Sequence, residues 1–143
     1  MQPVVCATRG GEACRRTQER AIRLAKEKDA PLVFLYIADP SLVGPVSEPL
    51  EEALRQENAR LGRAILRVAQ ERARKQGLTA EAVVLHGSVQ HSIQDYLRQV
   101  EADTLVLGAP RVGAAPQVFT AEEIESFAEA IRQETKVQVV VVT

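Results

Sequence analysis

The sequence has few cysteines and no long apolar run. Its two cysteines, Cys6 and Cys14, form neither a CxxC pair nor a metal-ligand spacing, so the sequence indicates no zinc site and no disulfide framework. No apolar run approaches the length that crosses a bilayer, which argues against a membrane partner. Because no secretory leader is recognisable, we expect a cytoplasmic chain with reduced thiols.

A concentration of charge of one sign is also absent. The chain has 18 basic and 19 acidic side chains, and the resulting formal net charge of -1 gives no reason to expect nucleic acid as a partner. The first predicted helix is rich in arginine and lysine, but glutamates are interleaved and aromatic residues are lacking. His86 and His91 have no acidic or cysteine residue at ligand spacing, so we expect no metal site and no catalytic residue.

Three phosphate-handling signatures are missing as well. A dinucleotide fold needs GxGxxG after the first strand, whereas this chain has Arg9-Gly10-Gly11-Glu12 there. The P-loop pattern GxxxxGK[ST] occurs nowhere. A receiver domain would need acidic residues where Arg9 stands. These absences argue against three large classes of α/β protein.

What the sequence does contain is a regular alternation of short apolar strands and amphipathic helices. The predicted strands are Val4 to Thr8, Leu32 to Ile37, Ala80 to Leu85, a run around Leu105 to Leu107, and Val137 to Val142. The predicted helices run from Glu12 to about Lys28, from about Glu48 to Gln76, from Ser88 to about Glu101, and from about Ala121 to about Glu134. This order predicts one α/β domain over residues 1–143, a three-layer α/β/α sandwich with a five-stranded parallel sheet.

The longest predicted helix has an apolar stripe and recognisable end signals. Ser47 is a candidate N-cap, and Gly77 marks the end of the helix. The side chains predicted to be buried are Leu50, Leu54, Leu61, Ile65 and Val68.

The stretch from Asp103 to Glu123 is the expected place for a ligand, because open α/β sheets bind ligands beyond the carboxyl ends of their strands. It reads as a buried strand, a loop that contains glycine and proline, and the start of a helix. Thr120 and Glu123 have the spacing of a capping box, which predicts a helix that starts at about Ala121.

Five segments, in their order and spacing, are similar to one known family. They are the segment from Val4 to Arg16 with Thr8-Arg9-Gly10-Gly11, the strand end Phe34 to Asp39, the long second helix, Leu85-His86-Gly87-Ser88, and Ala102 to Gly108. Together they resemble the universal stress proteins, a Rossmann-like family of the adenine-nucleotide α-hydrolase-like superfamily. The resemblance covers the whole chain.

The resemblance implies a nucleotide cleft. In ATP-binding members an Asp after strand one meets the adenosine, and a loop with the pattern G-two residues-G-nine residues-G-[S/T] wraps the phosphates. On this chain the Asp position falls on Arg9, the second glycine on Arg111, and the final pair on Ala121-Glu122. The implied vestigial nucleotide or anion cleft comprises Arg9, Gly10, Ile37, Gly108, Arg111 and Gly113, and no glycine follows the last of these.

These departures from the motif weaken the expectation of ATP binding. Glu122, Glu123 and Glu125 would satisfy the helix dipole and repel phosphate. Losing two or three charge-assisted contacts of roughly 1.5–3 kcal/mol each would lower affinity by about a hundredfold to a hundred-thousandfold. We therefore expect a stress-response or regulatory domain that is not an enzyme, needs no cofactor and acts through partners.

Two alternatives stay open. Arg9 and Arg111 follow strands that should be neighbours, so they could clamp a small anion, or they could pair with Glu12, Glu122 or Glu123 and fill the cleft. The second alternative is a switch that binds ATP or AMP with magnesium, and hydrolyses ATP weakly, through a rearranged loop.

The last predicted strand, Val137 to Val142, is strongly β-prone and nearly uncharged. An exposed edge of this kind aggregates unless it is covered. We expect a homodimer in which two copies pair these strands antiparallel about a two-fold axis, and the family resemblance implies the same arrangement.

Overall fold

The structure, a computed structural model, describes residues 2–8, 12–38, 48–108 and 121–142. Its strands are β1 (Val4–Ala7), β2 (Leu32–Ala38), β3 (Ala80–His86), β4 (Thr104–Gly108) and β5 (Gln138–Val142). Its helices are α1 (Glu12–Lys28), α2 (Glu48–Lys75), α3 (Val89–Val100) and α4 (Ala121–Glu134).

The five strands form one sheet in the order β3-β2-β1-β4-β5, and every neighbouring pair is parallel. This arrangement confirms the predicted fold class. The chain winds outward from β1 in one direction to β3 and in the other to β5. The point of reversal lies between β1 and β4, where doubly wound sheets form their crevice.

Alternating side chains divide the interior into two cores, one on each face of the sheet. On the face of α1 and α2, Val4, Phe34 and Val106 pack with residues of both helices. On the face of α3 and α4, Val5, Leu35 and Leu105 pack with residues of those helices. β1 and β2 are apolar throughout because helices cover both faces of the sheet, whereas the edge strand β3 carries the exposed Glu81.

Most predicted boundaries agree with the structure to within one residue. β1 ends at Ala7 instead of Thr8, although the Thr8 N–H still donates to the Leu35 carbonyl at 2.9 Å. β2 and β3 each continue one residue further, and β5 begins one residue later. Gly77 follows the end of α2 with a φ of 84°, a conformation that favours glycine. Ser88 occupies the N-cap position of α3 but makes no side-chain capping hydrogen bond.

The predicted buried stripe of α2 is wrong for three of its five residues. Leu50, Leu61 and Val68 are 50%, 56% and 52% exposed. The helix instead packs on β2 and β3 through a stripe of mostly small residues, namely Ala59, Gly62, Leu66, Ala69 and Ala73. Small residues are needed because the helix lies close to the sheet: a Cβ at Gly62 would lie 2.6 Å from Tyr36 Cε1.

Candidate functional site: the crevice between β1 and β4

The candidate site is the edge of the sheet at which β1 and β4 end side by side. Val4, Val5 and Cys6 of β1 pair with Thr104, Leu105 and Val106 of β4. Of the predicted site residues, the structure describes Ile37 and Gly108. Arg9, Gly10, Arg111 and Gly113 lie outside the described residues, as do Ser47 and Thr120.

Gly108 ends β4 against the side chain of Thr17 on α1. A Cβ at position 108 would lie 2.6 Å from Thr17 Oγ1, well inside van der Waals contact. Thr17 is 2% exposed, so it has little room to move away. The glycine therefore has a packing role of its own at this edge, in addition to the ligand role that its motif position suggests.

Ile37, the other described site residue, is partly buried near the end of β2 and packs against the core on the α3 and α4 face. Its neighbour Tyr36 points to the opposite face, where its hydroxyl donates to Asn58 Oδ1 at 2.5 Å. Burial raises the pKa of Tyr36. Ile37 is thus a partly covered apolar side chain that contributes to the core.

A buried polar chain beneath the crevice was not predicted. Gln18 is 2% exposed on α1, and its amide nitrogen donates to Thr8 Oγ1 at 2.8 Å. Arg72 of α2 donates to the Gln18 oxygen at 2.5 Å. Through these bonds the end of β1 is tied to both helices of one layer. No sequence pattern predicts this hydrogen-bond chain, since a glutamine beside the apolar positions of α1 is typical of a solvated helix surface.

Helix α4, the next element after β4 in the described part of the chain, begins at Ala121, as the capping-box spacing predicts. Glu123 and Glu125 are exposed in its first turns. Carboxylates at this end of a helix interact favourably with its dipole and disfavour a second anion. The first turn of α4 is therefore electrostatically poor as a phosphate site.

The two histidines lie on β3 and α3, not on the strands that border the crevice. His91 is exposed and lies 3.5 Å from Asp95, one turn further along α3, and His86 is exposed at the end of β3. Among the described residues, no three His, Cys, Asp or Glu side chains are placed to hold a metal ion. No described helix is both long enough and apolar enough to cross a membrane.

Comparison with known proteins decides the family. The profile of the Universal stress protein family matches residues 1–143. The chain belongs to the universal stress protein family. Universal stress protein YxiE from Bacillus subtilis (strain 168) is 23% identical over 124 residues, which are 81% of this chain and 84% of that protein. The family resemblance read from the sequence is thereby confirmed.

Solved structures of universal stress proteins have the same fold. That of UspA from Lactobacillus plantarum is 20% identical, has a TM-score of 0.79, and the match covers 99% of this chain and 97% of that one. A second, a universal stress protein in complex with cAMP, is 26% identical with a TM-score of 0.70, over 99% of this chain and 97% of that one. At least one protein with this fold has therefore been solved with a bound nucleotide.

Proposed function

We propose that this universal stress protein is a regulatory, stress-response domain that is not an enzyme and does not hold ATP in the usual manner of its family. The observation that carries the proposal is the acidic first turn of α4, which begins at Ala121 and continues Glu122-Glu123. ATP-binding members have a glycine and a hydroxyl residue there. A triphosphate at this position would meet carboxylates instead of donors.

Gly108 supports the same proposal. It is the first glycine of the family motif and is present here, while the second position is Arg111. Its contact with Thr17 explains why this position needs glycine without any ligand. The presence of one motif glycine is therefore weak support for a nucleotide site.

A second candidate function is binding of an adenine nucleotide or another small anion by Arg9 and Arg111. Two observations favour it. β1 and β4 are neighbouring parallel strands that end at the same edge of the sheet, and a relative that is 26% identical was solved with cAMP. A single phosphate needs fewer donors than a triphosphate, and two guanidinium groups can supply several.

The proposed assembly is a homodimer through β5. This strand is at the edge of the sheet. The Gln138 N–H donates toward β4 at Asp103, so by alternation the N–H and carbonyl groups of Val139 and Val141 point outward. The outward carbonyl of Val139 accepts a hydrogen bond from Arg132 Nη2 at 2.8 Å. Strand pairing between two copies would have to displace or accommodate this guanidinium.

A thermal melting series tests the functional proposal. A ligand that binds only the folded chain stabilises it by about 2.7 kcal/mol at a hundred times its dissociation constant. We expect the melting temperature to stay unchanged in millimolar Mg-ATP. The series should also include AMP, cAMP and inorganic phosphate, since a shift with these but not with ATP identifies the second candidate function.

The matched variant is Arg9→Asp, which restores the acidic residue that the family has after strand one. If ATP raises the melting temperature of the native chain by several degrees, and this variant increases the shift, the chain is an ATP-binding member with a rearranged loop. That result would overturn the proposal.

A further inference from the structure

Helix α2 leaves an apolar stripe uncovered on its surface. Leu50, Leu61 and Val68 are each at least half exposed, and Leu54 between them is only partly buried. Leu54, Leu61 and Val68 are spaced by seven residues, which is the repeat that places side chains along one seam of a helix pair. From Leu50 to Val68 the stripe extends about 27 Å along the helix. Monomeric proteins rarely expose a contiguous row of apolar side chains of this length, and such rows mark interaction sites.

The charges of α2 are divided along its length. Residues 49–59 contain three glutamates and one arginine. Residues 60–75 contain six basic residues and one glutamate. The same helix therefore has an acidic first half and a basic second half, with the apolar stripe running through both.

One arrangement of two α2 helices satisfies both the apolar stripe and the division of charge. When two copies of α2 lie antiparallel, the acidic half of each faces the basic half of the other, and the two stripes meet. A parallel pair would place like charges together. We propose that α2 is an interface at which a second copy of this chain packs antiparallel about a two-fold axis.

The groove between α1 and α2 supplies the surroundings that such an interface needs. Ile22, Ala64 and Val68 line this groove, which has a volume of about 1280 Å³. Its walls add Arg23, Lys26, Arg67 and Lys75, none of which forms an ion pair within the described part of the chain. Three glutamates line the groove as well, of which Glu19 pairs with Arg15 and Glu71 with Arg74, while the third is Glu27. The acidic half of a partner's α2 would give these cations carboxylates while its leucines cover the apolar floor.

This interface is separate from the edge of β5. Helix α2 packs on β2 and β3, and β5 is at the other end of the sheet. The two contacts can therefore form together, and a chain that uses both would build assemblies larger than a dimer. The edge contact must be blocked before the helical contact is measured.

Sedimentation velocity on the Val141→Pro chain, whose edge strand cannot pair, is the first test. We expect this chain to dimerise at about 100 µM, and Leu61→Glu with Val68→Glu to raise the dissociation constant by at least about a hundredfold. The matched control is Gln56→Glu with Arg63→Gln, which makes the same change in charge at exposed positions off the stripe. It should still dimerise.

Charge reversal tests the orientation. One variant carries Glu51→Lys and Glu57→Lys, and the other carries Arg60→Glu, Arg67→Glu and Lys75→Glu, both in the Val141→Pro chain. Each alone should stay monomeric, because its two halves have the same sign, whereas an equimolar mixture should form a heterodimer. Circular dichroism confirms that each variant is folded. A monomeric Val141→Pro chain, unchanged association of the double glutamate variant, or a mixture that stays monomeric would each overturn the proposal.

Discussion

At the scale of single residues, Gly108 is the position where packing and ligand binding give different expectations. Gly108→Ala places a Cβ against the buried Thr17 hydroxyl, so we expect it to lower the free energy of unfolding by about 1–3 kcal/mol. Urea unfolding followed by circular dichroism measures the change. No ligand is needed in this experiment, which is why it separates the packing role from the motif role.

The control for Gly108→Ala is a double-mutant cycle with Thr17→Ala. If the clash is the cause, the alanine at 108 should be less harmful when the threonine is gone, and the coupling energy should favour the double variant. Additive effects of the two substitutions would contradict a direct contact.

Asp103 and Lys28 provide a residue-scale test of pH dependence. Hydrogen bonds from Thr104 and then from Lys28, whose Nζ lies 2.9 Å from the Asp103 carboxylate, lower the pKa of Asp103. A carboxyl whose pKa is lower in the folded chain stabilises it above the unfolded pKa of about 3.9. This stabilisation is lost as the pH falls through the folded pKa.

Lys28→Met should therefore lower the free energy of unfolding by about 0.2–1 kcal/mol at pH 7, since both side chains are partly exposed. The difference from the native chain should shrink as the pH falls below about 4. Lys26→Met is the control, because among the described residues Lys26 forms no ion pair. A constant difference between pH 7 and pH 3 would argue against the pairing.

The buried bond between Gln18 and Thr8 is a third residue-scale feature. Gln18→Leu keeps the size of the side chain but leaves the Thr8 hydroxyl and Arg72 without this partner, so we expect a loss of about 1–3 kcal/mol. Gln133→Leu is the comparison, because within the described ranges the Gln133 side chain bonds to Glu129 across an exposed turn of α4. Chemical denaturation of both variants measures the loss in the free energy of unfolding. Equal losses would show that the buried hydrogen bonds of Gln18 contribute little to stability.

At the scale of elements, substitutions in and beside β5 test the proposed contact between the edge strands of two copies. Val141→Pro removes an outward N–H, and proline is tolerated on an edge strand at such a position. We expect the variant to fold and to lose the contact between edge strands, as measured by sedimentation. Arg132→Ala, which uncovers the Val139 carbonyl, should strengthen that contact. Unchanged association in both variants would mean that the edge is not an interface.

Helix α2 shows why an element can be predicted while its buried face is not. The candidate N-cap Ser47 and the terminating Gly77 predict its two ends, and both ends agree with the structure to within one residue. The predicted buried stripe does not agree with the structure, because larger apolar residues such as Leu61 normally mark the core. Here a close approach to Tyr36 selects Gly62 and alanines for the buried face, and only the three-dimensional packing reveals that requirement.

At the scale of the whole molecule, the fold was predictable because each strand is a short, mostly apolar run and each helix separates two of them. Right-handed crossovers then leave few topologies. The site was less predictable, since hydrogen bonds such as that from Gln18 to Thr8 join segments that are distant in the sequence. At the crevice edge, Gly108 lies against the buried Thr17, so the space that a side chain at position 108 would need is already filled.

We propose above that this universal stress protein does not hold ATP in the usual manner of its family. Isothermal titration of the purified, nucleotide-free chain with Mg-ATP tests it most directly. We predict no saturable heat up to about 1 mM ATP. Saturable binding of one ATP per chain with a micromolar dissociation constant, weakened by Gly113→Val, would contradict this proposal.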